Sequence, residues 1–181
     1  MESAEEPAID PDEIQKALTI QSQLNSPIFG AILIFCLLGA LVTIINIYDN
    51  QVIVNIEVQF GYGITVVWFL ILSLLAAVLL AHMVYKPYII DRANGSNAIL
   101  YALIFYVVAE IVWSTSLFHS RVNRGVATLA SVLLLATIVW LGWACYHLVK
   151  ESIYIFLILL IWCFFLQDYT YNVNAHPWKI Q

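Results

Sequence analysis

AILYALIFYVVAEIVWSTSLF, residues 98–118, is a long apolar run whose only charged side chain is Glu110. A helix needs roughly 20 consecutive apolar residues to cross a bilayer, and a strand needs only about 10. The run is therefore too long for a strand of a membrane barrel and long enough for one helical crossing. It predicts a transmembrane helix that places a carboxyl group well inside the bilayer.

Four further apolar runs of similar character flank this stretch, two on each side. They are Ile28–Ile47, Phe60–Val84, Val126–Val149 and Ile153–Leu166, the last of which extends to about Tyr171. Their lengths again favour helices over strands. We therefore predict an all-α integral membrane protein, built as a bundle of five transmembrane helices.

The composition agrees with a membrane protein and excludes a nucleic-acid partner. Of the 181 residues, 62% are hydrophobic and only 10% are charged, whereas about 25% is usual in soluble domains. The net charge of −5 comes largely from an acidic segment before the first run, and nucleic acid binding needs basic patches instead. The three cysteines lie in apolar runs without metal-site spacing, so we interpret them as small packing residues.

The chain divides into three regions. Residues 1–27 form an acidic leader, in which Asp10-Pro11-Asp12-Glu13 predicts the start of a short helix. Residues 28–174 form the five-helix transmembrane domain, and residues 175–181 form a C-terminal tail. Lys and Arg are divided almost evenly between the two sides of the membrane, so the positive-inside bias assigns no orientation.

One face of the third helix combines polar and aromatic side chains. Tyr106, Glu110, Trp113 and Leu117 recur at i, i+4, i+7 and i+11, which places them on one side of a helix. Because a charge at mid-membrane costs about 3 kcal/mol on insertion scales, we expect Glu110 to face the bundle interior. Two interpretations stay open: a polar anchor in a ligand cavity, or a hydrogen bond to a neighbouring helix.

Tryptophan also occurs within the second, fourth and fifth runs, at Trp68, Trp143 and Trp162. Together with Trp113 these rings predict an aromatic-walled cavity with few polar groups, which suits a flat apolar ligand. We expect Trp68, Trp113 and Trp162 to face inward. Ordinary helix packing and anchoring at the membrane interface are the alternatives.

Two segments match the loose pattern proposed for cholesterol contact, which is Leu or Val, then Tyr, then Lys or Arg. They are Val84–Tyr88–Arg92 and Leu141–Tyr146–Lys150. The pattern is weak, because helix ends produce it often by chance.

The chain resembles the translocator protein and tryptophan-rich sensory protein family (TspO/MBR). WSTSLFHSR, residues 113–121, is similar to the end of that family's third helix, with matches at Trp113, Leu117, Phe118 and Arg121. Val67-Trp68 matches the start of the family's second helix, and LQDYTYNVN, residues 166–174, matches the end of its fifth, with Gln167 replacing an Asn. Glu110 stands where the family has an Asn. The first loop lacks the family's Trp and Pro residues, which cover the ligand pocket.

The resemblance implies a protein that binds, senses or transports a flat hydrophobic ligand, such as a porphyrin, a haem precursor or cholesterol. The ligand-binding residues that it and the aromatic pattern indicate are Trp68, Tyr106, Glu110, Trp113, Leu117, Phe118, Trp143, Trp162 and Gln167. No catalytic or metal-binding residue and no resident cofactor is expected. The expected partners are the lipid bilayer and the hydrophobic ligand, and a homodimer stays open.

The resemblance also implies a multi-pass location in the mitochondrial outer membrane or another organelle membrane, or in the cell membrane of a bacterium. Two alternatives belong to other functional classes. One is a membrane-embedded enzyme of the sterol-isomerase type, with Glu110 transferring a proton to or from a second acid or His. The other is a structural subunit of a membrane complex, which would enclose no cavity.

Overall fold

The computed structural model describes residues 27–49, 66–118 and 124–175, to which all structural statements below refer. These residues form five helices: α1 Pro27–Asp49, α2 Val66–Ala93, α3 Ala98–Phe118, α4 Arg124–Leu148 and α5 Ser152–Ala175. Each helix is long and apolar enough to cross a membrane, and the described ranges contain no strand. The prediction of an all-α protein with five membrane-spanning helices is confirmed. The predicted leader helix and almost all of the predicted tail lie outside the described residues.

Helix α2 continues further than the sequence predicts. Its apolar run ends at Val84, but the helix extends to Ala93 and includes Pro87. Membrane helices tolerate an internal proline because neighbouring groups satisfy the carbonyl that loses its partner. The prediction of a loop over residues 85–97 is therefore wrong for its first nine positions, which form two more turns of helix.

A tight turn connects α2 to α3. Gly95 adopts a φ of 75°, and the N–H groups of Gly95 and Ser96 donate to the carbonyls of Arg92 and Asp91, both at 3.0 Å. This Schellman arrangement favours glycine at the left-handed position. The Asp91 carboxylate also accepts a 3.0 Å hydrogen bond from the Ile99 N–H. The side chain that ends one helix therefore satisfies a donor at the start of the next.

The five helices pack as a closed ring. Going around it, α1 contacts α2, α2 contacts α5, α5 contacts α4, α4 contacts α3, and α3 returns to α1. Helix α2 also contacts α3 and α4 across the ring. Helix α3 has the largest buried share of the five. The helix that carries Glu110 is thus the most enclosed element of the bundle.

Candidate functional site

The predicted inward face of α3 is confirmed. Tyr106, Glu110, Trp113 and Leu117 are all buried, as is the neighbouring Phe118. Six further residues of α3 are also buried, among them Ser114, whereas Tyr101, Phe105 and Val108 on the opposite side are exposed, as expected for a surface in contact with lipid. The 3.6-residue period of an α-helix therefore directs Glu110 and the aromatic side chains on the same face to the interior.

Glu110 packs against α1 at Gly39. The carboxyl group lies so close to the Gly39 backbone that a Cβ atom at residue 39 would come within 2.9 Å of the Glu110 Cδ. A side chain at residue 39 would therefore require the Glu110 carboxyl group to move. Glu110 is 7% exposed, so the contact between α1 and α3 buries most of its side chain.

The Glu110 carboxyl group has no hydrogen-bond partner within the described part of the chain. Cys36 of α1, Tyr106 of α3 and Cys163 of α5 lie close enough to interact with its charge. The Tyr106 hydroxyl is 3.9 Å from the Cys163 sulfur, which is a weak contact. We call Cys36, Tyr106, Glu110 and Cys163 the polar cluster. The hydrogen bond to a neighbouring helix, one of the two interpretations of Glu110, is not present in these residues.

Six rings form an aromatic cluster between α2, α3 and α5. They are Phe69, Trp113, Phe118, Trp162, Phe165 and Tyr169, and the neighbouring ring centroids in this cluster are 5.5 to 6.4 Å apart. Such separations are typical of favourable aromatic pairs. The predicted aromatic wall therefore exists, but phenylalanine and tyrosine supply more of it than tryptophan does.

The two tryptophans of the aromatic cluster differ in their hydrogen bonding. The Trp113 indole N–H donates to the Thr170 hydroxyl at 2.7 Å, and that hydroxyl donates to the Leu166 carbonyl at 2.8 Å. Trp162 is 9% exposed, and its N–H has no acceptor among the described residues. Trp113 is therefore fixed across α3 and α5, whereas Trp162 is held by packing alone.

This difference predicts unequal effects for one substitution at two sites. Trp113→Phe should destabilise the protein by about 1 kcal/mol more than Trp162→Phe, because only Trp113 loses an interhelical hydrogen bond. Both changes remove a similar volume, so the difference reports the lost bond to Thr170 together with the removal of the unpaired Trp162 N–H. Reversible unfolding by dodecyl sulfate in mixed micelles measures the difference. Equal losses at the two sites would contradict the assigned role of the Thr170 hydroxyl.

A groove of about 240 Å³ lies between α2 and α5. Trp162 and Phe165 line it with a stacked pair, inclined at 23°, and its other lining side chains, among them Leu72, Leu79 and Ile158, are aliphatic. Ligand pockets typically measure about 300–1,000 Å³. The groove is large enough for part of a flat apolar molecule, with an aromatic surface to contact its face.

Two predicted site residues lie on the outer surface of the bundle. Trp68 is 57% exposed and Trp143 is 62% exposed, so the expectation that Trp68 faces inward is wrong, and Trp143 does not line the interior. Trp68 lies in the first turn of α2, and Trp143 packs edge-on against His147 near the end of α4, with 4.6 Å between ring centroids. These positions suit anchoring at the membrane interface. Gln167 is half-buried.

The predicted site residues do not include Phe69, Phe165 and Tyr169. Phe69 immediately follows Trp68 and is fully buried, so the interior face of α2 is one residue out of phase with the predicted one. Phe165 and Tyr169 follow Trp162 at i+3 and i+7, a spacing that could have indicated them.

The described histidines are not close partners for Glu110. His82 packs against Phe29 in the first turn of α1, with 5.4 Å between ring centroids, and His147 lies in the last turn of α4. Gly39, which contacts Glu110, is ten residues further along α1, or about 15 Å deeper in the bundle. Within the described ranges, Glu110 therefore lacks the second acid or His that a sterol-isomerase mechanism needs.

Comparison with known proteins adds no family assignment. No protein-family model matches the chain, and neither a curated protein nor a solved structure matches it. Function is therefore inferred from the polar cluster, the aromatic cluster and the groove between α2 and α5.

Proposed function

We propose that the protein binds a flat hydrophobic ligand, such as a porphyrin or a sterol, within the membrane, as its resemblance to the TspO/MBR family implies. The observation that carries the proposal is the Glu110 carboxyl group on the buried face of α3, which has no hydrogen-bond partner in the described residues. An unsatisfied buried polar group destabilises a protein by about 1–3 kcal/mol. Ionisable groups inside membranes usually mark a site of function.

The aromatic cluster supports a flat ligand. Its rings come from three helices, and the stacked pair of Trp162 and Phe165 borders the groove between α2 and α5. A planar ring system gains most from offset stacking on such a surface. A polar substituent on the same ligand would give Glu110 the partner that the described residues do not provide.

The groove also indicates how an apolar ligand enters. Its lining includes exposed side chains such as Leu75, Ile158 and Ile161, which would be in contact with lipid. A ligand dissolved in the bilayer can therefore reach Trp162 from the side without crossing water. This route suits binding, sensing or transport of a membrane-soluble compound, and it requires no chemical step.

Titration of the purified protein with protoporphyrin tests the proposal. We expect saturable quenching of tryptophan fluorescence, with a dissociation constant in the micromolar range or below. Replacing the outward-facing Trp68, Trp140 and Trp143 by Phe provides a matched background, because quenching from the aromatic cluster should persist there. Trp162→Phe should reduce the quenching in that background.

A photoreactive cholesterol analogue provides the second arm of the experiment. Labelling near Trp162 that excess cholesterol prevents would favour a sterol over a porphyrin. Linear, non-saturable quenching together with unselective labelling would overturn the proposal, and would favour a structural subunit of a membrane complex instead.

A further inference from the structure

We propose that the protein has a second ligand site, at one membrane face, that binds an anionic phospholipid. The site is a groove of about 370 Å³ between α1, α2 and α3. It is separate from the aromatic cluster, and the proposal does not depend on the proposed function. Tyr88 and Arg92 line one end of the groove, and its other lining residues are apolar.

The polar end of the groove is built to hold a phosphate group. Arg92 donates from Nη1 to the Tyr88 hydroxyl at 3.3 Å. This bond positions the guanidinium group at the C-terminal end of α2, near the membrane surface. A guanidinium group has five N–H donors in a planar fork that matches two phosphate oxygens. The other N–H groups of the exposed Arg92 remain available to a ligand, and the Tyr88 hydroxyl can still donate its own proton.

No carboxylate in the described residues neutralises Arg92. The neighbouring Asp91 is buried and accepts a hydrogen bond from the Ile99 N–H at 3.0 Å. Its carboxylate therefore points into the turn between α2 and α3 and not toward Arg92. Arg92 itself is exposed. The groove therefore ends in a positive charge that complements an anionic headgroup, as in other basic sites between membrane helices.

The apolar part of the groove has the dimensions of an acyl chain site. Ile28, Ile32 and Phe35 of α1 line one wall, and Leu100 and Leu103 of α3 line the other. From Pro27 to Phe35 the helix rises about 12 Å, and one leaflet of hydrocarbon is about 15 Å thick. The groove thus follows most of a leaflet, with its charge at the level of the headgroups.

The cholesterol-contact pattern Val84–Tyr88–Arg92 is better explained by this site. Val84 is fully buried in the core and does not line the groove, so the three residues do not share one surface. A sterol offers a single hydroxyl group, whereas phosphate can accept two parallel bonds from Arg92. The charge and the forked donors favour a phospholipid over a sterol.

Native mass spectrometry of the full-length protein in mild detergent tests the site. Phosphatidylglycerol, phosphatidylcholine and cholesterol are added separately, and we expect one phosphatidylglycerol per chain, bound roughly tenfold more tightly than phosphatidylcholine. Arg92→Gln should weaken phosphatidylglycerol binding by about the same factor. Lys150→Gln is the matched control, because Lys150 is exposed at the same membrane face but outside the groove.

A second variant tests the groove rather than the charge. Ala31 is exposed and lines the groove, so Ala31→Phe should fill it and release the phospholipid while Arg92 remains. Circular dichroism establishes that each variant is folded. Equal binding of the two phospholipids, equal losses in Arg92→Gln and Lys150→Gln, or displacement by cholesterol would overturn the proposal. A dimer that Ala31→Phe dissociates would assign the groove to a second copy of the chain.

Discussion

Replacing Glu110 with Leu should stabilise the protein and abolish ligand binding. The carboxyl group is enclosed against Gly39 and has no hydrogen-bond partner in the described residues. Leu is somewhat larger but carries no polar atom, so the substitution removes the cost of an unpaired polar group in apolar surroundings, which is about 1–3 kcal/mol when such a group is fully buried. If the same group anchors the ligand, the more stable variant should fail to bind porphyrin or sterol.

The sequence alone favours the opposite sign. A carboxyl group on the inner face of α3 is expected to hydrogen-bond to a neighbouring helix, and Glu110→Leu would then destabilise the bundle by roughly 0.5–2 kcal/mol. The packing of Glu110 on the Gly39 backbone, without a donor, reverses this expectation. Unfolding in mixed micelles by dodecyl sulfate therefore distinguishes the two accounts by sign.

Glu110→Gln is the matched control for both measurements. Gln keeps the shape and polarity of a protonated carboxyl group, so stability and binding should change little. A carboxamide cannot act as a general acid or base. Loss of a measurable sterol turnover in Glu110→Gln, with folding unchanged, would therefore move the assignment to an isomerase. A loss of stability in Glu110→Leu would contradict the assignment of Glu110 as an unpartnered group.

The sequence predicts the buried face of a helix well only where polar or aromatic side chains distinguish that face from the one in contact with lipid. On α3, Glu110 and its aromatic neighbours identify the buried side, and the structure confirms that face. On α2, nearly every position around Trp68 is apolar, and the buried Ser73, four residues after Phe69, is only a weak mark of the interior face. The buried residue is Phe69 rather than Trp68 because packing against α5 sets the rotation of α2.

The sequence also predicts the ends of some helices better than those of others. Hydropathy identifies the part of a helix that lies in hydrocarbon, and for α3 this part coincides with the helix, residues 98–118. For α2 the helix continues past the hydrocarbon through Lys86 and Arg92 to Ala93. The cap made by Asp91 and the turn at Gly95 determine that end. Those contacts are local hydrogen bonds that an apolar run does not reveal.

Close approaches between helices are the feature that the sequence reveals least. Both Gly39 and Gly142 lie inside long apolar runs, where each reads as an ordinary small residue. In the structure, the first accommodates Glu110, and the second accommodates the ring of Phe156 from α5. Small residues that allow such approaches are common between membrane helices. The partner of each glycine emerges only from the packing.

Gly142→Ala should destabilise the protein by about 1–3 kcal/mol through overpacking between α4 and α5. A Cβ at residue 142 would overlap the Phe156 ring and lie 2.6 Å from its Cγ. To relieve this overlap, either the Phe156 side chain has to rotate about its Cα–Cβ bond and move its whole ring, or the two helices have to separate. Gly30→Ala is the matched control, since a Cβ there meets no atom within 4 Å. Alanine at residue 30 should be neutral or slightly stabilising, because it favours helix more than glycine does.

A second substitution establishes whether the Phe156 ring is the cause. In a Phe156→Ala background the clash is absent, so Gly142→Ala should lose most of its effect, and a double-mutant cycle should give a coupling of about 1 kcal/mol or more. The same displacement would move α5, which carries Trp162, so Gly142→Ala should also weaken porphyrin quenching, whereas Gly30→Ala should not. If Gly142→Ala is equally harmful with Phe or Ala at residue 156, the contact between α4 and α5 does not depend on this approach.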